Sequence, residues 1–156
     1  MPTPRHDAAV YRQIRDTAAR FADEVVRPAA GDLDRDQRFP GEIYREMARL
    51  GLFGITLSEE DGGAGLDVLA YAVVMEELSR GYASVADQCG LVELIATLLA
   101  RHGTAAQKAK YLAPLVHGRW SGTMNLTEPQ AGSDVGALRT RAVKNGEHYR
   151  LTGQKI

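Results

Sequence analysis

The sequence predicts a mainly α-helical fold, with an N-terminal helical-bundle domain followed by the first strands of a β domain. Apolar residues recur at helical spacing up to about residue 118, and the period then changes to that of strands. The dipeptide Asn145-Gly146 lies between two strand-like runs, 139–144 and 147–152, which is a strong hairpin signal. We therefore expect two domains, residues 1–118 and 119–156.

The composition is that of a globular protein, with 44% hydrophobic and 25% charged residues in a chain of 156. A formal net charge of −1 gives no basic surface for nucleic acid. No apolar run approaches the ~20 residues of a membrane span, and the N-terminus lacks a signal peptide's apolar stretch. We expect a cytoplasmic protein without membrane insertion. The chain stops at Ile156 without a terminating element, which suggests a fragment of a longer protein.

The first two helices are separated by a charged connector, residues 32–38. The first helix is expected to end or kink at Pro28, because proline lacks an N–H and clashes with the preceding turn. The second begins at Pro40 and ends at Gly51, which can adopt the left-handed conformation. A glycine-rich loop, 59–65, follows. It lacks the Lys and Ser/Thr of a P-loop, so a tight connection is the favoured interpretation.

A third helix is expected from an N-cap at Asp67 to Gly81, and a fourth from 83 to 102. The fourth is apolar nearly all round, which is typical of a buried helix. A capping-box pattern at 104–107 starts a fifth helix, limited by Pro114 and Gly118. Three polar residues of the fourth helix are expected to face solvent or a neighbouring subunit rather than a pocket: Asp87, Gln88 and Glu93.

Cysteine and histidine give no sign of a reactive thiol or a metal site. The single cysteine, Cys89, excludes an intramolecular disulfide, fits a reducing compartment and is expected to be a small buried hydrophobe. The histidines are scattered without the spacing of metal ligands: His6, His102, His117 and His148. No metal is expected.

Residues 124–134, Met-Asn-Leu-Thr-Glu-Pro-Gln-Ala-Gly-Ser-Asp, are the most informative segment. They follow a strand-like run, 120–126, and turn through Pro129 and Gly132. The segment offers the hydroxyls of Thr127 and Ser133, and a loop of this kind presents N–H groups and hydroxyls to a polar or anionic ligand. Turn geometry alone would also explain the proline and the glycine.

The run Leu126-Thr-Glu-Pro-x-Ala-Gly-Ser-Asp134 resembles the flavin-binding signature of the acyl-CoA dehydrogenases. Residues 50–55 with 59–66, residues 74–79 and 103–115, and Gly153-Gln-Lys-Ile156 resemble the same family in the same order. The similarity covers essentially the whole chain. It implies the family's N-terminal helical domain followed by the start of its middle, β-barrel-like domain.

The resemblance implies an FAD-dependent enzyme of fatty acid metabolism that dehydrogenates an acyl-CoA between Cα and Cβ, with hydride transfer to the flavin. Electrons would pass to an electron-transfer flavoprotein, and family members are commonly homotetramers. The hydroxyl of Thr127 would contact the isoalloxazine ring, and Ser133 would meet both the FAD phosphates and the acyl-CoA substrate. The implied cofactor contacts are Met124, Asn125, Leu126, Thr127, Glu128, Pro129, Gln130, Ala131, Gly132 and Ser133.

No catalytic residue is expected within these 156 residues, because the family's proton-abstracting glutamate belongs to a C-terminal helical domain. Two alternatives remain open. An acyl-CoA oxidase-type flavoenzyme would pass its electrons to oxygen, and a non-catalytic homologue would act as a binding module.

Overall fold

The structure, a computed structural model, describes residues 7–156 and divides into two compact units. One unit ends at Gly122 and is helical, and the other covers Thr123–Ile156 and carries an antiparallel hairpin. The predicted mainly α-helical fold is therefore confirmed. The domain limits 1–118 and 119–156 remain a prediction. The predictions for His6 and for the absence of a signal peptide's apolar stretch concern the N-terminus, where residues 1–6 lie outside the described residues.

The first helical segment continues through Pro28, so the predicted end there is wrong. Helix α1 (Ala8–Phe21) passes through a π-helical turn, Ala22–Val26, into α2 (Arg27–Asp36). The residues predicted as a connector from 32 onward are thus helical as far as Asp36. In the π-turn the N–H of Arg27 donates to the carbonyl of Ala22, five residues earlier. This wider turn ends two residues before Pro28, which has no N–H to donate, and the helix can proceed.

Helix α3 (Gly41–Arg49) begins one residue later than predicted, with Pro40 at its N-cap. It ends as expected, since Gly51 adopts a left-handed conformation with φ +70°. The chain then folds back through an irregular segment, 52–66, that contains one short 3-10 turn, Glu59–Asp61. Several apolar side chains of this segment are buried in the core: Leu52, Phe53, Ile55 and Leu57.

Helix α4 (Val68–His102) forms the centre of the helical unit and is N-capped by Asp67, which accepts a hydrogen bond from the N–H of Ala70. Tyr82 interrupts it with φ −163° and ψ 117°, which confirms the predicted break near Gly81. The second half is buried on one face only. Val85, Cys89 and Val92 of this face lie in the core, as expected of a buried helix, whereas Leu94 and Leu98 are each 44% exposed within residues 7–156.

By length and composition α4 could cross a membrane, because one 18-residue window has a mean hydropathy of 1.4. The helix is not an uninterrupted apolar run, because Asp87 and Glu93 lie within its second half, and the expectation of no membrane insertion stays a prediction. Within the fold α4 is the core helix of the bundle. The side chains of α4 that pack in the core with 1% or less of their surface exposed include Val74, Leu78, Val85 and Val92.

The last helical segment starts with the predicted capping box. The Thr104 side chain accepts from the N–H of Gln107, and the Gln107 side chain accepts from the N–H of Thr104. Helix α5 (Ala105–Gln107) continues through a π-turn, Lys108–Leu112, into α6 (Ala113–Val116). As at Pro28, the proline of this segment, Pro114, comes two residues after a π-turn. Gly118, with φ +65°, ends the segment as predicted.

The second unit contains the predicted hairpin, with its turn one residue later than expected. Strands β1 (Arg141–Asn145) and β2 (His148–Thr152) pair with Asn145 opposite His148. The turn residues are therefore Gly146 and Glu147, and only the glycine has a positive φ, +62°. A type II′ turn requires positive φ only at its first central residue, so Asn145 can remain in the strand.

Candidate functional site

Residues 121–127, which include most of the strand-like run, form no regular secondary structure. Within residues 7–156, the N–H groups of residues 123–127 make no hydrogen bond to the protein. A strand requires a ladder of backbone bonds, and here a single one is present, from the N–H of Ile156 to the carbonyl of Thr127 at 3.0 Å. The side chains of 123–127 are all exposed. The segment thus presents a row of free donors to its surroundings.

A closed turn follows the free donors. The backbones of Glu128 and Ala131 exchange two hydrogen bonds of 3.0 Å, and Pro129 and Gln130 occupy the corner. Glu128 and Ala131 are 3% and 1% exposed. The predicted ligand loop, Met124–Ser133, therefore consists of an open stretch anchored to a tight turn.

The Glu128 carboxylate holds this turn to the rest of its unit. It accepts hydrogen bonds from the N–H of Arg139 at 2.7 Å, from the N–H and hydroxyl of Thr140, and from Nζ of Lys155 at 3.0 Å. The side chain of Gln130 adds a bond of 2.6 Å. The Thr140 hydroxyl foremost, then the N–H of Arg139 and the Lys155 ammonium, hold the pKa of Glu128 well below its ordinary value despite its burial. The side chain is an anionic support, and its predicted contact with a cofactor stays a prediction.

Gly132 is not required by the fold of its unit. Its φ lies outside the left-handed region, and a Cβ added there would meet no atom within 4 Å. The hydroxyls of Thr127 and Ser133 are exposed and have no hydrogen-bond partner among residues 7–156. Turn geometry therefore does not explain the glycine, whereas close approach of a ligand to the backbone would.

Sequence reasoning missed the partners of Glu128. Arg139 and Thr140 belong to the predicted hairpin, and Lys155 lies in a stretch noted only for its resemblance to the family. Their distance along the chain from Glu128, 11 to 27 residues, leaves no local pattern that would reveal the contact. The predicted binding residues on 124–133 stay predictions, and these three positions add their structural support.

Glu93 of α4 was expected to face solvent or a neighbouring subunit, and this is wrong. The residue is 6% exposed, and its carboxylate accepts from the N–H of Ile55 at 2.7 Å and the N–H of Thr56 at 2.8 Å. The Thr56 hydroxyl donates a further bond. Glu93 thereby fastens the irregular segment 52–66 to the core helix. Asp87 is exposed as expected, and Gln88 is half-buried.

Cys89 is a buried thiol, as expected from the sequence. It is 0% exposed, and its S–H donates to the carbonyl of Leu52 at 3.0 Å. Burial, with a smaller contribution from the nearby Glu93 carboxylate, raises the pKa of Cys89 to about 12. The thiol therefore stays protonated and unreactive at neutral pH. Within the described range 7–156, no group of three or more metal-binding side chains is assembled.

Comparison with known proteins identifies the family. The sequence model of the acyl-CoA dehydrogenase N-terminal domain matches residues 9–119. The chain therefore belongs to the acyl-CoA dehydrogenase family. It is 43% identical over 148 residues to the short-chain specific acyl-CoA dehydrogenase of Clostridium acetobutylicum, covering 92% of this chain and 38% of that protein. It is 48% identical over 143 residues to (2S)-methylsuccinyl-CoA dehydrogenase of Cereibacter sphaeroides, covering 91% and 26%.

Solved structures of similar proteins share the fold. Butyryl-CoA dehydrogenase from Megasphaera elsdenii is 34% identical with a TM-score of 0.87, over 99% of this chain and 42% of that one. A chain in a structure described as the electron transferring flavoprotein of Acidaminococcus fermentans is 37% identical with a TM-score of 0.89, over 99% and 41%. The chain thus spans well under half the length of these relatives.

Proposed function

We propose that this chain is the N-terminal part of an FAD-dependent acyl-CoA dehydrogenase and that residues Met124–Ser133 form part of its FAD site. Family membership supports the class of enzyme. The observation that carries the proposed site is the open loop, whose N–H groups at 123–127 and whose Thr127 and Ser133 hydroxyls have no protein partner within residues 7–156.

The donor set of this loop suits FAD. The isoalloxazine ring offers carbonyl oxygens and ring nitrogens as hydrogen-bond acceptors, and the pyrophosphate is anionic. The row of free N–H groups and the Thr127 hydroxyl match the acceptors of the ring, and the Ser133 hydroxyl suits the phosphates or the acyl-CoA. The open space beside Gly132 allows the ligand to approach the backbone closely.

When bound, FAD would supply the hydride acceptor for dehydrogenation of an acyl-CoA thioester between Cα and Cβ. The role of this chain is to bind and orient the flavin. Donors fixed before the reaction stabilise negative charge that develops near them in the transition state. No residue of 7–156 is assigned the proton abstraction, which the proposal places in the remainder of the enzyme.

The proposal includes an electron-transfer flavoprotein as the electron acceptor and a homotetrameric assembly. It also includes a cytoplasmic localisation and a role in fatty acid metabolism. Support for the substrate class comes from the relatives, whose names include short-chain acyl-CoA and isovaleryl-CoA dehydrogenases. Support for the acceptor comes from the similarity to a chain in the electron transferring flavoprotein structure.

The experiment is to purify the full-length protein that contains this chain, measure bound FAD, and record bleaching of the flavin on addition of acyl-CoA thioesters. Bleaching with little oxygen consumption, and turnover with an electron-transfer flavoprotein, is the expected result. Rapid oxygen consumption would instead show an oxidase. Absence of flavin would contradict the proposed site and favour a binding module.

Gly132→Ala tests the site within this loop. Because an added Cβ meets no atom of the unit, the variant is expected to fold normally and to bind FAD about 10-fold more weakly, on the order of 1.4 kcal/mol. Flavin affinity and thermal unfolding without flavin are measured together. Gly31→Ala, at a helical glycine that also has open space, is the matched control. Equal flavin affinity in Gly132→Ala and wild type would remove this loop from the FAD site.

A further inference from the structure

We propose that Lys155 and Glu128 are positioning residues for the flavin loop, with Lys155 linking the Leu126 carbonyl to the Glu128 carboxylate. The pair would fix the backbone of Leu126 and Thr127 so that Thr127 keeps the orientation needed to meet the flavin. This inference rests on the proposed FAD site and extends it to a residue outside the loop itself.

The geometry of Lys155 supports the link. Its ammonium group lies 3.0 Å from the Leu126 carbonyl oxygen and 3.0 Å from Oε1 of Glu128. The adjacent N–H of Ile156 donates to the Thr127 carbonyl, also at 3.0 Å. Two consecutive carbonyls of the loop are thus held by two consecutive residues, 155 and 156. The N–H groups and the Thr127 hydroxyl remain free for a ligand.

The opposite charges of Lys155 and Glu128 strengthen the link between them. Glu128 is 3% exposed, and its carboxylate is ionised because several donors surround it. The Lys155 side chain is 28% exposed, so the ion pair is partly shielded from water. A charge-assisted hydrogen bond of this kind is roughly twice as strong as a neutral one. Without Lys155, the bond from Ile156 would be the single hydrogen bond that holds residues 124–127 to the rest of their unit within residues 7–156.

The alternative is that the pair merely stabilises the unit. That alternative predicts a loss of thermal stability with unchanged flavin binding in the molecules that remain folded. Positioning predicts that flavin affinity and the flavin absorption spectrum change, and that a side chain able to donate from the same place restores them. The two readouts therefore separate the interpretations.

The experiment compares Lys155→Met, Lys155→Arg and Glu128→Gln in the full-length protein. FAD affinity, the flavin spectrum, and hydrogen exchange at the Ile156 amide without flavin are measured. Lys155→Met is expected to weaken FAD binding about 10-fold, shift the flavin spectrum, and speed exchange at Ile156. Lys155→Arg is expected to recover most of the affinity. Glu128→Gln is expected to resemble Lys155→Met, because it removes the charge and keeps the shape.

Matched controls are Lys144→Met and Glu147→Gln, at two exposed positions of the hairpin whose side chains make no hydrogen bond or ion pair within residues 7–156. Unchanged flavin affinity and spectrum in Lys155→Met would overturn the inference, as would equal losses in Lys155→Met and Lys155→Arg. If the wild type holds no FAD, the proposed function fails. In that case hydrogen exchange at the Ile156 amide still tests the link between Lys155 and the loop. Unchanged exchange in Lys155→Met would overturn that link.

Discussion

Two buried glutamates fasten irregular segments in the same way, one in each unit. Glu93 accepts hydrogen bonds from two successive backbone N–H groups, those of Ile55 and Thr56, and from the Thr56 hydroxyl. Glu128 does the same with Arg139, Thr140 and the Thr140 hydroxyl. In both cases a carboxylate satisfies backbone donors that no helix or strand satisfies. Only Glu128 also has a cationic partner, Lys155.

Removing the carboxylate of Glu93 is expected to destabilise the helical unit. Glu93→Ala leaves the N–H groups of Ile55 and Thr56 without their acceptor, and Ile55 is fully buried. We expect a loss of about 2–4 kcal/mol in the free energy of unfolding. Glu93→Gln keeps one acceptor oxygen and should lose less. Urea denaturation measures both.

Asp87→Asn is the control for Glu93. It lies on the same helix and is exposed, so its effect should stay within about 0.5 kcal/mol. If Glu93→Ala were no more destabilising than Asp87→Asn, the fastening role of Glu93 would be wrong.

Prolines and π-turns occur together in the helical elements. Pro28 and Pro114 each stand at the second residue after a five-residue π-turn, Ala22–Val26 and Lys108–Leu112. A proline in a regular helix removes one backbone bond and clashes with the turn before it, and the π-turn provides a wider one. A proline inside an otherwise periodic stretch therefore did not mark a helix end in this protein.

The irregular segment 52–66 depends on a glycine at position 63. A Cβ at Gly63 would lie 2.4 Å from the Gly54 carbonyl oxygen and 2.5 Å from the backbone oxygen of Leu57. Gly63→Ala is therefore expected to reduce the free energy of unfolding by about 1–3 kcal/mol, because backbone would have to move.

Gly31→Ala is expected to have the opposite effect on the free energy of unfolding. Gly31 is helical and has no neighbour within 4 Å of an added Cβ, so alanine should stabilise α2 by roughly 0.5–1 kcal/mol. Thermal unfolding of the two variants should move in opposite directions. Equal shifts would show that the close approach at Gly63 does not determine the change in stability caused by Gly63→Ala.

The 156-residue chain alone is expected to bind FAD poorly and to dehydrogenate no acyl-CoA. Under the proposal it carries only one side of the flavin site, the open loop 124–133, and lacks the proton-abstracting residue. Ordering a loop around a partly exposed ligand would consume binding energy. Flavin titration and acyl-CoA-dependent dye reduction test this, with the full-length protein as the positive control. Micromolar FAD affinity with turnover would show that the site is complete within these residues.

Local sequence determined most of the helix boundaries. Asp67, the Thr104–Gln107 capping box, Gly51 and Gly118 act on backbone groups within a few residues, so the chain segment itself carries the signal. Local sequence also predicted the hairpin, with its turn one residue earlier than the structure has it. The loop at 124–134 also indicated the family from sequence alone, because its motif is a contiguous run of residues.

Tertiary structure decided where the carboxylates point. The donors that meet Glu93 lie 37 and 38 residues away, and those that meet Glu128 come from 11 to 27 residues further along the chain. Neither glutamate has a local pattern that separates a buried acceptor from a solvated side chain. A buried charge is stable only when folding gathers its donors, and that gathering depends on the packing of distant segments rather than on neighbours in sequence.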